Sequence, residues 1–226
     1  MSLKGKPDKM NKNELIEKIK EEKLIAIVRG IEADKCLKVA DALYEGGFRL
    51  IEITFDQRKP ETWAMTAEAI TEIKKKYIGK MNVGAGTVVS TDLVDIAAAA
   101  GAEYMISPDV NTAVIHRTIE LGLVSMPGAL TPTEIMTAYN AGADFVKLFP
   151  IANMGLSYLK AIRAPISHIP MLAVGGVNED NLKDFLNAGC CGAGIGGNLV
   201  NKQWIADGEY HKITQVASKM VQIVKA

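Results

Sequence analysis

The alternation of short runs rich in Val and Ile with longer segments of helical periodicity constrains the fold of this chain more than any other feature. Runs of this length match buried strands, and strands that alternate with helices are typical of βα units with a parallel sheet. The predicted strands are Leu24–Val28, Leu50–Thr54, Asn82–Ala85, Tyr104–Ile106, Val124–Met126, Phe145–Leu148, Met171–Val174 and Gly192–Ile195. Eight strands are the number that closes an α/β barrel, so the sequence predicts a (β/α)8 TIM barrel.

Predicted helices lie between these strands and at both ends of the chain. They include Ala33–Glu45, Pro60–Lys76 and Asn178–Ala188, together with two flanking helices, Lys12–Glu22 and His211–Lys225. We expect the flanking helices to close the barrel floor or to pack outside it. An open doubly wound sheet is the alternative architecture, but the chain lacks the G-x-G-x-x-G fingerprint after its first strand.

The length of the chain predicts one domain. With 226 residues, 48% of them hydrophobic, the chain can form a single substantial core. We expect the barrel to extend from residue 13 to residue 226. Residues 1–12 are expected to be an unpacked lead, because they are rich in lysine and begin with Met1-Ser2-Leu3, which resembles an expression tag.

Composition argues against several classes of protein. The 26 basic and 26 acidic residues balance, so neither a nucleic acid nor a membrane surface is an expected partner. The three cysteines (Cys36, Cys190, Cys191) form no disulfide framework, and no apolar run reaches the roughly 20 residues of a membrane helix, so we expect a soluble, cytoplasmic protein. The three histidines lie away from the strand ends, and no metal site is predicted.

Lys147 stands near the end of an otherwise apolar strand, on the same side as Phe145 and Phe149. If that side faces the barrel interior, burial favours the neutral amine, which can attack a carbonyl carbon. A lysine that reaches the barrel rim or pairs with a carboxylate is the structural alternative. The pattern alone leaves both interpretations open.

Glu52 has the same character in the second predicted strand, where it shares a face with Thr54. A carboxylate among isoleucines needs a partner. It could be a counterion for Lys147 or a general acid and base, and the two roles are compatible. Buried charges at strand ends are costly, so the pair indicates a functional site at the carboxyl ends of the strands.

Glycine-rich loops follow the last two predicted strands, as Gly175-Gly176 and Gly194-Ile195-Gly196-Gly197-Asn198. These two loops form the usual phosphate site of a barrel, where backbone N–H groups face an anion. Arg29 ends the first strand, beside the last strand in a closed barrel, and could add positive charge. Ordinary turn glycines and a salt bridge of Arg29 at the rim remain the alternatives.

Eight segments in order resemble the family of 2-keto-3-deoxy-6-phosphogluconate (KDPG) and 2-keto-4-hydroxyglutarate (KHG) aldolases, between Leu24 and Val200. The segments are Ile25-Ala26-Ile27-Val28-Arg29, Ile51-Glu52-Ile53-Thr54, Val83-Gly84-Ala85-Gly86-Thr87-Val88, Ile106-Ser107-Pro108, Met126-Pro127-Gly128, Val146-Lys147-Leu148-Phe149-Pro150, Val174-Gly175-Gly176-Val177 and Gly194-Ile195-Gly196-Gly197. The resemblance implies a (β/α)8 barrel, usually assembled as a homotrimer, that uses neither a metal nor a cofactor.

Position by position, the resemblance implies that Lys147 forms the Schiff base and that Glu52 shuttles protons. It implies that Thr87, Pro108 and Phe149 line the pyruvate pocket. The residues that it implies for the substrate phosphate are Arg29, Gly175, Gly176, Gly196, Gly197 and Asn198.

Three positions depart from the family pattern. Asp56 stands where many members have an arginine that helps to hold the substrate carboxylate. Val174 stands where KDPG-specific members often have threonine, and the related 6-phosphogalactonate aldolases also have valine there. Asn198 replaces a serine that is common at the phosphate site. These departures bear on the choice of substrate rather than on the reaction.

We therefore expect a class I aldolase whose partner is a small-molecule 2-keto acid. The reaction would cleave a 2-keto-3-deoxy-6-phospho sugar acid or 2-keto-4-hydroxyglutarate into pyruvate and an aldehyde, either glyceraldehyde 3-phosphate or glyoxylate. A phosphosugar epimerase or isomerase and a non-catalytic barrel that binds a phosphorylated metabolite are the alternatives.

Overall fold

Nine parallel strands form one sheet that curves into a nearly closed barrel, with helices between the strands. The computed structural model describes residues 10–226, so residues 1–9 of the predicted lead lie outside the described residues. The strands are β1 (Leu24–Val28), β2 (Leu50–Thr54), β3 (Asn82–Gly86), β4 (Tyr104–Ile106), β5 (Val124–Met126), β6 (Gly128–Ala129), β7 (Val146–Leu148), β8 (Met171–Val174) and β9 (Gly192–Ile195). Their order is β5-β4-β3-β2-β1-β9-β8-β7-β6, which confirms the predicted TIM barrel.

The helices surround this sheet. They are α1 (Lys12–Glu22), α2 (Ala33–Glu45), α3 (Trp63–Lys76), α4 (Thr91–Ala99), α5 (Thr112–Glu120), α6 (Pro132–Asn140), α7 (Gly155–Arg163), α8 (Leu182–Asn187), α9 (Lys202–Ala206) and α10 (Tyr210–Lys225), with a short 3-10 helix at Pro60–Thr62. The predicted helix at Pro60–Lys76 is therefore the 3-10 turn followed by α3.

The barrel position between β4 and β7 is divided into two strands at Pro127. β5 pairs with β4, whereas β6 pairs with β7. Proline has no N–H to donate to a ladder, and only the Pro127 carbonyl takes part, accepting from the Lys147 N–H at 2.9 Å. Gly128, the next residue, belongs to β6 and pairs in register with Lys147.

The predicted helix at Asn178–Ala188 begins four residues too early, because α8 starts only at Leu182. The Asn178 side chain accepts from the backbone N–H groups of Asp180 and Asn181, at 2.9 and 3.2 Å, and the Asn181 side chain accepts from the Asn178 N–H at 2.9 Å. Asparagine side chains that bond to nearby backbone groups compete with helix formation. These four residues therefore form a turn beside the barrel mouth.

Alternation along the strands divides the core into two layers. Ile25 and Ile27 of β1 belong to a cluster inside the barrel, whereas Ala26 and Val28 pack outward beneath the helices. The other interior side chains come from β2, β4, β5 and β8 and from the residue just before β7; they are Leu50, Tyr104, Ile106, Val124, Met126, Phe145, Leu172 and Val174. The interior is thus a filled core that is open only at its upper rim.

Helix α1 closes the barrel floor. Asn11 and Glu14 form a capping box at its start, which satisfies backbone N–H groups that a helix leaves free. Leu15 and Ile19 are buried in the interior cluster, each contributing about 1.5–3 kcal/mol by the burial of apolar surface. Of the two predicted flanking helices, α1 therefore seals the end of the barrel opposite the strand carboxyl ends.

Helix α10 takes the other predicted position, outside the barrel against α2. An added Cβ at Gly46 would lie 2.4 Å from the Ala217 Cβ, so the chain after α2 approaches α10 closely. The Thr214 hydroxyl donates to the Ala42 carbonyl across the same contact, at 3.1 Å.

Candidate active site

Lys147 on β7 and Glu52 on β2 both point into the barrel interior. They are only 2% and 1% exposed, and both line a small cavity of about 10 Å³. Within residues 10–226, neither oxygen of the Glu52 carboxyl has a hydrogen-bond partner. The structure thus brings together the two side chains that the sequence singled out, and it excludes a snorkelling lysine at the rim.

Burial shifts the proton equilibria of both groups. Desolvation lowers the pKa of Lys147, Glu52 opposes that shift, and the positive charge of Arg29 reinforces it. Desolvation also raises the pKa of Glu52, against the attraction of Lys147 and Arg29. Both shifts favour the uncharged forms, and the uncharged amine of Lys147 is the nucleophilic one.

Glycines of β3 make room for the buried carboxyl and its neighbour. An added Cβ at Gly86 would lie 2.5 Å from Glu52 Oε1, and one at Gly84 would lie 2.0 Å from the Tyr104 ring. Tyr104 fills the interior beside Glu52, and its hydroxyl donates to the Ile51 carbonyl at 2.7 Å. Sequence reasoning missed Tyr104, because a tyrosine in a strand carries no distinctive signal.

A pocket of about 530 Å³ opens from Lys147 toward the loops after β8 and β9. Arg29 and Phe149 line it, and Lys147 Nζ lies 5.0 Å from the centre of the Phe149 ring. The predicted phosphate residues in its lining are Arg29, Gly175, Gly176, Gly196, Gly197 and Asn198. None of the described residues that line the pocket is acidic, so it suits an anion.

Side-chain amides hold the two glycine loops in place. The Asn198 amide donates to the Val177 carbonyl at 3.5 Å, and the Asn181 amide donates to the Gly176 carbonyl at 3.0 Å. Gly176 has a φ of +81°, and an added Cβ there would lie 2.7 Å from the Ala152 Cβ. Both the backbone conformation and the close contact therefore require glycine at this position.

Thr87 and Pro108 do not line this pocket or the small cavity below it. Thr87 follows β3 with a left-handed φ of +58°, which is uncommon for a residue other than glycine, and its carbonyl accepts from Gln57 Nε2 at 3.0 Å. The Pro108 backbone packs against Gly128, whose added Cβ would lie 2.5 Å from it. Both residues therefore stand at the rim near β2 and β6.

Asp56, at the place of the family arginine, faces a neighbouring groove of about 300 Å³ rather than the pocket of Lys147. Its carboxylate is bonded to the Arg58 guanidinium, with the Nε–Oδ1 distance at 3.2 Å. The Arg58 side chain is 87% exposed. This loop thus presents no free cation to the pocket from position 56.

Sequence reasoning missed several residues that line the pocket. They are Ile27, Val177, Val200, Asn201 and Lys202, with Val174 named only for its place before the glycine pair. Ile27 looks like an ordinary strand residue in the sequence. Lys202 follows a helix cap and has no periodic pattern, so only closure of the barrel brings it to the site.

In residues 10–226, no three His, Cys, Asp or Glu side chains are placed to hold a metal ion. No helix in that part of the chain has both the length and the apolar character needed to span a membrane.

Comparison with known proteins finds relatives that match most of the chain. The family profile for KDPG and KHG aldolases matches residues 15–216. A 2-dehydro-3-deoxy-6-phosphogalactonate aldolase of Escherichia coli is 38% identical over 177 residues, which cover 78% of this chain and 83% of the relative. A 2-dehydro-3-deoxy-phosphogluconate aldolase of Haemophilus influenzae is 27% identical over 216 residues, 94% of this chain and 97% of the relative.

A solved structure described as native KDPGal superposes with a TM-score of 0.79 and 35% sequence identity, covering 89% of this chain and 94% of that one. The barrel with its buried lysine and carboxylate thus belongs to a lyase of the aldolase class. The chain is a member of the KDPG and KHG aldolase family. Neither the epimerase nor the non-catalytic alternative is supported by these relatives.

Proposed function

We propose that this protein is a class I aldolase in which Lys147 forms a Schiff base with a 2-keto acid. One observation carries the proposal: Lys147 is buried at the base of a pocket that no acidic side chain lines, its pKa is lowered, and it lines one cavity with the buried Glu52. A structural lysine has no need of such a pocket above it.

In the proposed cleavage, the neutral amine of Lys147 attacks the C2 ketone, and the hydroxyl of the resulting carbinolamine leaves as water with the proton of the Glu52 carboxyl, which gives a protonated imine and the Glu52 carboxylate. Glu52 accepts the proton of the C4 hydroxyl, directly or through a water, since the cavity of about 10 Å³ has room for about one. The electrons of the C3–C4 bond move into the imine, which releases an aldehyde and leaves an enamine. Protonation at C3 by Glu52 and hydrolysis then release pyruvate and restore Lys147.

The charge of the imine supports this use of Glu52. In the free protein, burial raises the pKa of Glu52, which disfavours the carboxylate needed as a base. A cationic imine on Lys147 would favour the carboxylate, because a nearby opposite charge stabilises it. Glu52 would thus become a base once the substrate is bound covalently.

Borohydride trapping tests the proposal. Pyruvate and borohydride should reduce the imine to a stable adduct, which peptide mass spectrometry should locate on Lys147. The Lys147→Met variant should give no adduct. Absence of an adduct in the wild type, or an adduct of equal yield in the variant, would reject Lys147 as the nucleophile.

We further propose a 2-keto-3-deoxy-6-phospho sugar acid as the substrate, with the galactonate type favoured over the gluconate type. Val174 before the glycine pair and the higher identity to the Escherichia coli relative, 38% against 27%, support this choice. The test compares kcat/KM for pyruvate release from the two phosphorylated epimers and from 2-keto-4-hydroxyglutarate. A preference for the gluconate epimer would contradict it.

For the carboxylate of the keto acid, we propose Thr87 in place of the family arginine, with Pro108 at the same rim and Phe149 against the bound pyruvate. Thr87 is next to Gly86, which contacts Glu52, and Gln57 holds the Thr87 carbonyl. The Thr87→Val variant should raise the KM for pyruvate in C3 hydrogen exchange. An unchanged KM would exclude the hydroxyl from this role.

We also propose that residues 13–226 act as one catalytic unit, in a cytoplasmic homotrimer. The single sheet from β1 to β9, the free state of all three cysteines and the resemblance to trimeric aldolases support these points. Light scattering of the purified protein tests the trimer. A mass of one chain, 24.4 kDa, would contradict it.

A further inference from the structure

We propose that Lys202 is a specificity-determining residue, whose ammonium joins the Arg29 guanidinium in a two-cation clamp for a phosphoryl dianion. The proposal rests on the function above, since it concerns the distal end of the substrate in the same pocket. Neither the sequence motifs nor the glycine loops include this lysine.

The position of Lys202 is fixed by the start of α9. The Asn201 side chain caps this helix by accepting from the backbone N–H groups of Gln203 and Trp204, at 2.8 and 3.3 Å. Ile205 anchors the helix in the outer core, where it is 4% exposed. Lys202 therefore starts from a rigid backbone and reaches toward the loop after β1.

Because Gly30 has no side chain, Lys202 has room to extend across the loop after β1. Gly30 has a φ of +62°, and an added Cβ there would lie 2.9 Å from Lys202 Nζ. The neighbouring residue is Arg29, and β1 pairs directly with β9. Closure of the barrel thus brings the two cations, which are 173 positions apart in the chain, to one side of the pocket.

Lys202 separates the pocket of Lys147 from the groove that contains Asp56. The two acidic residues of the groove already have partners, because Glu32 pairs with Lys35 at 2.7 Å and Asp56 with Arg58 at 3.2 Å. Throughout residues 10–226, neither Lys202 nor Arg29 forms an ion pair. On the pocket side, the available partner is an anionic substrate.

Two cations around a pocket that lacks an acidic side chain favour a dianion over a monoanion. A guanidinium can bond two phosphoryl oxygens, and an ammonium adds a point charge for the third. A single carboxylate at the distal end, as at C5 of 2-keto-4-hydroxyglutarate, needs only one of the two cations. Lys202 should therefore favour 6-phosphorylated substrates.

The experiment compares the wild type, Lys202→Met, Lys202→Arg and the control Lys59→Met. Lys59 lines the same groove but not the pocket of Lys147, so the control removes one nearby positive charge without touching the proposed clamp. For each protein, kcat/KM with the phosphorylated substrate is divided by the rate of pyruvate trapping. Loss of one charge-assisted contact should lower this ratio roughly 10-fold in Lys202→Met.

Lys202→Arg should lie between the wild type and Lys202→Met, because it keeps the charge, and Lys59→Met should resemble the wild type. An unchanged ratio in Lys202→Met, an equal loss in Lys59→Met, or an arginine variant as impaired as the methionine variant would each overturn the clamp.

Calorimetric titration with inorganic phosphate separates this inference from the proposed function. Phosphate should bind the wild type more tightly than Lys202→Met, whether or not pyruvate is trapped. Failure of trapping with normal phosphate binding would reject the aldolase mechanism and keep the clamp. Equal phosphate affinity in the two proteins, with normal trapping, would reject the clamp alone.

Discussion

Replacement of Glu52 by glutamine should stabilise this protein at pH 8 while it abolishes turnover. Glu52 is 1% exposed, and neither carboxyl oxygen finds a hydrogen-bond donor in the described part of the chain. Glutamine has nearly the same shape but cannot ionise. The substitution therefore isolates the cost of a buried, ionisable carboxyl.

The sign of the change in stability follows from the proton equilibrium of Glu52. The pKa of Glu52 is raised above its ordinary value of 4.5, mainly by desolvation. Below pH 4.5, folded and unfolded chains both hold the proton, and the carboxyl carries no ionisation penalty. As the pH rises past that value, the unfolded chain ionises first, so the stability of the wild type falls until the folded carboxyl also ionises.

The expected effect is at least that of a buried polar group without a hydrogen-bond partner, about 1–3 kcal/mol. For a chain of 226 residues, this corresponds to a rise in Tm of about 2–12 °C at pH 8. At pH 5, where little of the penalty has developed, the two proteins should unfold at more similar temperatures. The glutamine amide also lacks hydrogen-bond partners, and this lowers the stability of the variant by the same amount at pH 5 and at pH 8. The pH dependence of the difference in stability is therefore the diagnostic quantity.

Thermal and urea unfolding at pH 5, 6, 7 and 8 measure the difference, with Glu21→Gln as a control that removes an exposed carboxylate on α1. The control should follow the wild type at every pH. Turnover should be lost in Glu52→Gln while part of the pyruvate trapping remains, because the imine forms without the proton relay. A difference in unfolding free energy that does not grow with pH would refute the reasoning about burial, and wild-type turnover would remove Glu52 from the mechanism.

Three further predictions follow from the same geometry. The rate of pyruvate trapping should stop rising with pH well below the ordinary lysine pKa of 10.5, because burial lowers the pKa of Lys147; a rise that continues to pH 10.5 would contradict this. Gly86→Ala should lower kcat about 100-fold without unfolding the protein, since the added Cβ would lie 2.5 Å from Glu52 Oε1 and displace the carboxyl; steady-state kinetics with circular dichroism measure both properties. Arg29→Ala should raise the KM for phosphorylated substrates more than that for 2-keto-4-hydroxyglutarate, and equal increases would make Arg29 structural.

The sequence was sufficient to predict the barrel because its strands carry a strong local signal. β1 and β2 are continuous runs of five buried residues, and their predicted bounds agree with the structure. The same apolar background made Lys147 and Glu52 easy to recognise in the sequence, since a charge within such a run is conspicuous. A charged residue that interrupts a regular apolar pattern is thus the part of the candidate site that is easiest to recognise in a sequence.

Other features depend on contacts between segments that are distant in the chain. β6 is only Gly128 and Ala129, which carry no strand signal, and it forms because β7 lies alongside. Lys202 looks like any exposed lysine until β1 and β9 pair. Neither feature could be derived from local periodicity, because the information lies in the closure of the sheet.

The glycines of β3 create the space in which the buried Glu52 carboxyl lies, and that carboxyl lowers the stability of the protein. Gly84 and Gly86 face the interior, whereas their neighbours on the same strand, Val83 and Ala85, face outward. With no side chains at these two inward positions, β3 leaves space that the Tyr104 ring and the Glu52 carboxyl occupy. Hydrophobic side chains could fill that space at a lower cost in free energy than a carboxyl without partners. The arrangement is therefore better explained by the need for a proton-transfer group beside Lys147 than by stability, and this is why we expect Glu52→Gln to gain stability as it loses turnover.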